Sequence, residues 1–94
     1  MILATYDKQP GETMDYDIIY TDFFSTRSDT PASVTGTVDA GITLVSTTLN
    51  VGTKTVKCTL LGGTSNVTYK VTVRLTTSGG IIKEDEIRIR VKET

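Results

Sequence analysis

The chain has no histidine among its 94 residues. That removes the commonest general base and the commonest metal ligand available near neutral pH. Tryptophan is also absent, and there is a single cysteine, Cys58. One thiol can neither close an intramolecular disulfide nor build a thiolate metal cluster, and no imidazole is present to activate it. Cys58 therefore reads as a small apolar filler on an inward strand position, in a chain suited to a reducing compartment. Neither sign of charge is in excess, the formal net charge being −1, so no polyanion or anionic membrane is an evident partner. No apolar run approaches the ~18 residues of a membrane span. The opening, Met1-Ile2-Leu3-Ala4-Thr5-Tyr6-Asp7, lacks the basic segment and the apolar length of a secretory signal. Helix formers nowhere recur with a 3.6-residue period, so no long helix is expected.

What is present is alternation. From Tyr69, apolar side chains fall on every second residue (Tyr69, Val71, Val73, Leu75) between Lys70, Thr72, Arg74 and Thr76. After Ser78-Gly79-Gly80 the pattern resumes with Ile87, Ile89 and Val91 between Glu86, Arg88, Arg90 and Lys92. A period of two gives one buried and one wet face, so this stretch predicts a long hairpin. Its expected register has residue numbers summing to 160, with Arg74 opposite Glu86 outside and Val73 opposite Ile87 inside. Abundant Thr, Val and Ile extend the β character to the whole chain.

Five further strands are expected: Ile2–Tyr6, Thr13–Tyr20, Ser33–Val38, Ile42–Leu49 and Lys54–Leu61. Pro10-Gly11 ends the first, which is placed at a sheet edge or at a change of sheet. Met14, Tyr16, Ile18 and Tyr20 share one face of the second, with Asp15 and Asp17 on the other. Thr21–Pro31 reads as a long polar loop. Seven short strands with turns every 8–12 residues predict an all-β, immunoglobulin-like antiparallel β-sandwich, one domain over residues 1–94. Ninety-four residues bury roughly 60–68% of the unfolded surface, enough to fold without metals or disulfides. Tyr69, just after a Gly-rich turn, stands where such sandwiches place a tyrosine whose hydroxyl bonds back to the preceding connection. An ordinary buried strand tyrosine is the competing reading. Val71 and Val34 would fill the places of the second core cysteine and the core tryptophan.

Few residues of the chain are arranged for chemistry. Asp15 and Asp17 lie on an open strand face, without the cleft that separates an acid from a base. Glu84, Asp85 and Glu86 precede Arg88, Arg90 and Lys92, which reads as a solvated charge ladder. With acidic neighbours on the same face, the basic cluster does not make a nucleic-acid site. Asp22 and Asp29 are outside any calcium-loop pattern. Gly62-Gly63-Thr64 and Ser78-Gly79-Gly80 join strands and open no helix, so they are not phosphate loops. Asn66-Val67-Thr68 matches a glycosylation sequon with no secretory signal beside it. No catalytic, cofactor-binding or metal-binding residue is expected. What remains is surface. Ile19 interrupts a polar face, Leu61 falls on a wet one, and Phe23 and Phe24 lie in the long loop. One phenylalanine is expected to plug the sandwich and the other to be offered to a partner, with Ile19 as a further contact.

Several blocks carry a resemblance. Asp7-Lys8-Gln9-Pro10-Gly11-Glu12 precedes Asp15-Tyr16-Asp17-Ile18. Gly62-Gly63-Thr64 precedes Thr68-Tyr69-Lys70-Val71-Thr72-Val73, and Glu86-Ile87-Arg88-Ile89-Arg90-Val91 follows. Together they resemble short structural proteins of tailed bacteriophages and prophages, of the phage fibre–tail adaptor type. The resemblance implies an immunoglobulin-like virion protein without enzymatic activity, made in the bacterial cytoplasm and incorporated into the particle. Other virion proteins would be its partners, with self-association allowed, and neither nucleic acid nor membrane. A ligand- or carbohydrate-binding module is the competing function, and a minimal enzyme a more distant one.

Overall fold

The computed structural model of the chain describes residues 2–93, so Met1 and Thr94 of the expected domain lie outside the described residues. Seven strands form two sheets: β1 (Ile2–Lys8), β2 (Thr13–Ile19), β3 (Pro31–Val38), β4 (Ile42–Asn50), β5 (Thr55–Gly62), β6 (Val67–Thr77) and β7 (Ile82–Val91). One sheet has the order β1-β7-β6-β3, the other β2-β5-β4. Each strand turns its alternate apolar residues inward. Val71, Val73, Leu75, Ile87 and Ile89 from the first sheet meet Ile18, Val56, Cys58 and Leu60 from the second in one buried core. Burial of side chains this size contributes about 1.5–3 kcal/mol each for the larger ones.

The layout is immunoglobulin-like with one departure. In the constant-type arrangement the first strand lies beside the second. Here β1 joins the opposite sheet and pairs parallel with β7, so the sandwich is not wholly antiparallel as expected. The chain reverses at Pro10-Gly11, where the Glu12 amide donates to the Gln9 carbonyl at 3.1 Å, and re-enters as β2 in the other sheet. Arg90 holds β1 in place by a fork onto Asp7, with Nε–Oδ1 at 2.8 Å and Nη2–Oδ2 at 3.1 Å.

The β6–β7 register corrects the expected sum of 160. Val67 faces Val91, Tyr69 faces Ile89 and Val71 faces Ile87, a sum of 158. Arg74 consequently meets Glu84 (3.4 Å), not Glu86, and Val73 faces Asp85. The turn decides this. Gly80 has φ +89° and its amide donates to the Thr77 carbonyl (3.1 Å), while the Thr77 amide donates to Ile81 (2.8 Å). That is a three-residue loop with glycine in its left-handed position, centred on Gly79. The apparent obstacle, a carboxylate inside the sandwich, is met by specific partners for Asp85. On the wet face Lys70 does stand opposite Arg88, but Arg88 turns along its own strand to Glu86 (3.1 Å).

Tyr69 occupies the corner. Its ring is buried and its hydroxyl accepts the Thr64 amide at 2.8 Å. Glycine is required around it: a Cβ on Gly41 (φ +104°) would stand 3.0 Å from the ring, and one on Gly63 (φ +101°) 2.6 Å from Val91.

Candidate functional site

Thr21–Pro31 is not wholly irregular. Its first residues form a short helix, α1 (Thr21–Ser25), set across the end of the sandwich reached by the last residue of β2. The Phe24 amide donates to the Tyr20 carbonyl at 3.2 Å and the Ser25 hydroxyl to the Asp22 carbonyl at 2.7 Å. One helical turn points adjacent residues in different directions. Phe24 is 4% exposed and joins the core, whereas Phe23 packs only partly against it. Of the two phenylalanines, Phe24 is thus the plug.

Phe23 lies edge-on to Phe24 (5.0 Å between centroids) and to Tyr20 (6.3 Å). The Arg27 guanidinium sits 4.6 Å from its ring centre and the Lys83 ammonium 5.9 Å, both within cation–π range. The rest of the connection is fixed to the hairpin tip. Asp29 Oδ1 accepts the amides of Thr30 (2.8 Å) and Gly79 (3.0 Å), and the Thr30 and Ser78 hydroxyls meet at 2.8 Å. Hydrogen bonds, led by that from the Thr77 hydroxyl, hold the Asp29 carboxyl below its ordinary range. Asp29 is thereby a structural acceptor, and the described residues contain no group of three or more His, Cys, Asp or Glu side chains arranged to hold a metal.

Beneath α1 lies the polar centre that the sequence reading placed on the surface. Asp85 is 1% exposed; it accepts the Tyr20 hydroxyl at 3.0 Å and the Lys83 ammonium at 2.7 Å. Burial, followed by the Asp85 charge, pushes the Tyr20 phenol well up from its ordinary value. The signal was in the alternation: counting back by twos from Val91 through Ile87 puts Asp85 inside. The same count along β1, from Tyr6, puts Lys8 inside. It is 2% exposed, and its ammonium donates to the Gln9 carbonyl (2.8 Å) and the Gly62 carbonyl (2.7 Å). Burial pushes the Lys8 amine down from its ordinary value. It ties the end of β1 to the end of β5 across the two sheets.

Ile19, the third expected contact residue, ends β2 on the outer face and is 68% exposed, the highest among the exposed large hydrophobics of the described residues. Leu61 is exposed on the same face but is registered with Thr13, six residues along β2 from Ile19. At ~3.3 Å per residue that is about 20 Å, so the two do not form one patch. Cys58 is buried as expected, and burial pushes its thiol up from its ordinary value, away from the reactive thiolate. Among the described residues no helix is long and apolar enough to cross a membrane.

Compared with known families, the chain matches the model described as podophage GP4 fiber-tail adaptor protein gp77 over residues 8–90. The match spans β2 through β6 and nearly all of β7, and the chain belongs to that family. A search of curated proteins returned no match.

Proposed function

We propose, with that membership as the premise, that this chain is a non-enzymatic virion component that joins tail and fibre parts by protein–protein docking. The observation that carries the proposal is the family match over residues 8–90. Its working surface is the end of the sandwich formed by α1 and the residues around it. Phe23 is the anchor: a half-buried aromatic ring with two cations within range of it, on a connection tied to a rigid hairpin tip. Ile19, exposed at the end of β2, adds apolar area. Arg27 covers a ring face that a sugar would otherwise stack on, which favours a protein partner over a carbohydrate. The protein is made in the bacterial cytoplasm and becomes part of the particle, where its partners are other virion proteins.

The test separates folding from assembly. Phe24→Ser should lower the melting temperature because it opens the core. Phe23→Ser and Ile19→Ser should melt nearly normally and lose incorporation into particles. Normal incorporation of both surface variants would remove this end of the molecule as the docking surface.

A further inference from the structure

The four edges of the two sheets are not alike. β1 is irregular between Ile2 and Ala4 and turns the charged Lys8 inward. β3 begins with Pro31 and is irregular between Pro31 and Ser33, and β4 is irregular between Leu44 and Ser46. Bulges, edge prolines and inward charges all discourage a further strand from pairing. β2 has none of these. It pairs with β5 through seven consecutive residues, Thr13↔Leu61 to Ile19↔Thr55, without a break. It also lacks the neighbour that the constant-type layout would give it, because the first strand has gone to the other sheet.

The ladder shows which groups β2 leaves free. The Tyr20 amide donates across to the Lys54 carbonyl at 2.8 Å, continuing the β2–β5 register by one residue. In an antiparallel pair, bonded positions alternate, so Ile18, Tyr16 and Met14 also bond toward β5. The amides and carbonyls of Thr13, Asp15, Asp17 and Ile19 therefore face away from the sheet, and their side chains stand on its outer face. Two carboxylates thus flank the open ladder. Lys57 is registered with Asp17 but leans to Asp15 (3.5 Å), and among the described residues no cation lies within ion-pair distance of Asp17.

That charge decides the occupant. In a self-pairing of two β2 edges through their outward amides only even residue sums are bonded, and every such antiparallel register covering most of the strand sets Asp15 or Asp17 of one copy opposite an Asp of the other. Like charges directly opposite destabilise a strand pair. An added strand with Lys or Arg at two positions i and i+2 would instead meet Asp15 and Asp17 together. We propose that the β2 edge is a strand-addition site for an extended, basic segment of another protein. The proposal rests on the docking reading above and adds to it a second contact and the chemistry of its partner. Main-chain bonds along Thr13–Ile19 supply the affinity, and the two carboxylates supply the choice of partner.

The probe is a seven-residue peptide alternating valine with lysine, blocked at both ends, titrated to millimolar concentration against the isotope-labelled protein in low salt. Amide shifts should be confined to residues 13–19 and their β5 partners, and a peptide with glutamate for lysine should produce none. The double variant Asp15→Asn, Asp17→Asn should bind the lysine peptide about fivefold more weakly, as two lost cross-strand ion pairs imply. Asp17→Pro removes an outward amide that β5 does not use, so it should fold and lose binding. Shifts elsewhere, equal binding of the glutamate peptide, or unchanged binding by the folded Asp17→Pro protein would overturn the site. Concentration-dependent self-association through residues 13–19 would replace the basic partner with a second copy. In particles, loss of incorporation on Phe23→Ser alone would leave the adaptor reading standing and the β2 edge without a role there. Normal incorporation of every variant would count against both.

Discussion

Each end of the sandwich is closed by a buried tyrosine whose hydroxyl is hydrogen-bonded, and the two partners differ in kind. At one end Tyr69 accepts a neutral backbone amide within walls made by Gly41 and Gly63. At the other Tyr20 donates to the carboxylate of Asp85, itself bound by Lys83, under the short helix that carries Phe23. The first is a packing device, in which ring and glycines fit closely and one net hydrogen bond is added. The second is an electrostatic device, in which a charge taken out of water depends on two donors. The same side chain can thus close a fold in a way that ignores its neighbours' charge or in a way that is built on it. The charged version stands at the end we assign to docking.

Truncating the two devices should separate them. Tyr69→Ala is expected to cost the most, about 3–5 kcal/mol, as an aromatic core truncation. Denaturant unfolding would measure it, and a loss below about 1 kcal/mol would show that the glycine-walled corner is not a core element. Asp85→Ala should follow at about 2–4 kcal/mol, because Tyr20 and Lys83 both lose their acceptor. If that variant is instead as stable as the parent, the buried carboxylate is no more than tolerated.

Tyr20→Phe should cost about 1.5–3 kcal/mol, the range for a hydrogen bond to a charged group. It should also change the alkaline limb of stability. The folded environment raises the phenol above its unfolded value of about 10, so the neutral form is favoured in the fold. This contribution is complete below about pH 10 and is lost as the pH climbs through the raised value. Tyr16 and Cys58 are pushed the same way by burial, so the variant should flatten the alkaline loss without abolishing it. Melting temperatures from pH 8 to 11 would test this, and an unchanged slope would count against a buried Tyr20 phenol beside Asp85. Tyr69→Phe should show the smallest effect, about 1 kcal/mol for one neutral hydrogen bond. A larger loss than for Tyr20→Phe would invert the comparison.

The Tyr69 end was legible from the chain because its signals are local. A tyrosine after a Gly-rich turn, opening a clean alternation, names its own partner segment. The other end was legible only in part. The alternation that put Ile87 and Val91 inside puts Asp85 inside as well, but its acidic neighbours Glu84 and Glu86 made a solvated ladder the simpler reading. Its donor Tyr20 is 65 residues away in sequence, a distance over which no local pattern carries information. The hairpin register failed for a related reason. Cross-strand pairing of charges and apolar residues favoured a sum of 160, and the left-handed Gly80 outweighed it by setting the turn around Gly79. Of the three expected contact residues, Ile19 is exposed, Phe23 is partly exposed, and Phe24 is committed to the core.

The parallel pairing of β1 with β7 has a mechanical side. Force entering at Ile2 and leaving at Val91 would pull along the two strands in opposite directions, and the ladder from Ala4↔Ile87 to Lys8↔Val91 would bear it in shear. Bonds loaded in shear must give way together, whereas an antiparallel pair pulled from its open end unzips one bond at a time. The Asp7–Arg90 fork and the Lys8 ammonium lie at the Val91 end of that ladder, so both would resist the same sliding. Resistance to a pull is set by the rate of unfolding and not by equilibrium stability. On this geometry the resistance of β1 to sliding along β7 is a property separate from the domain's equilibrium stability.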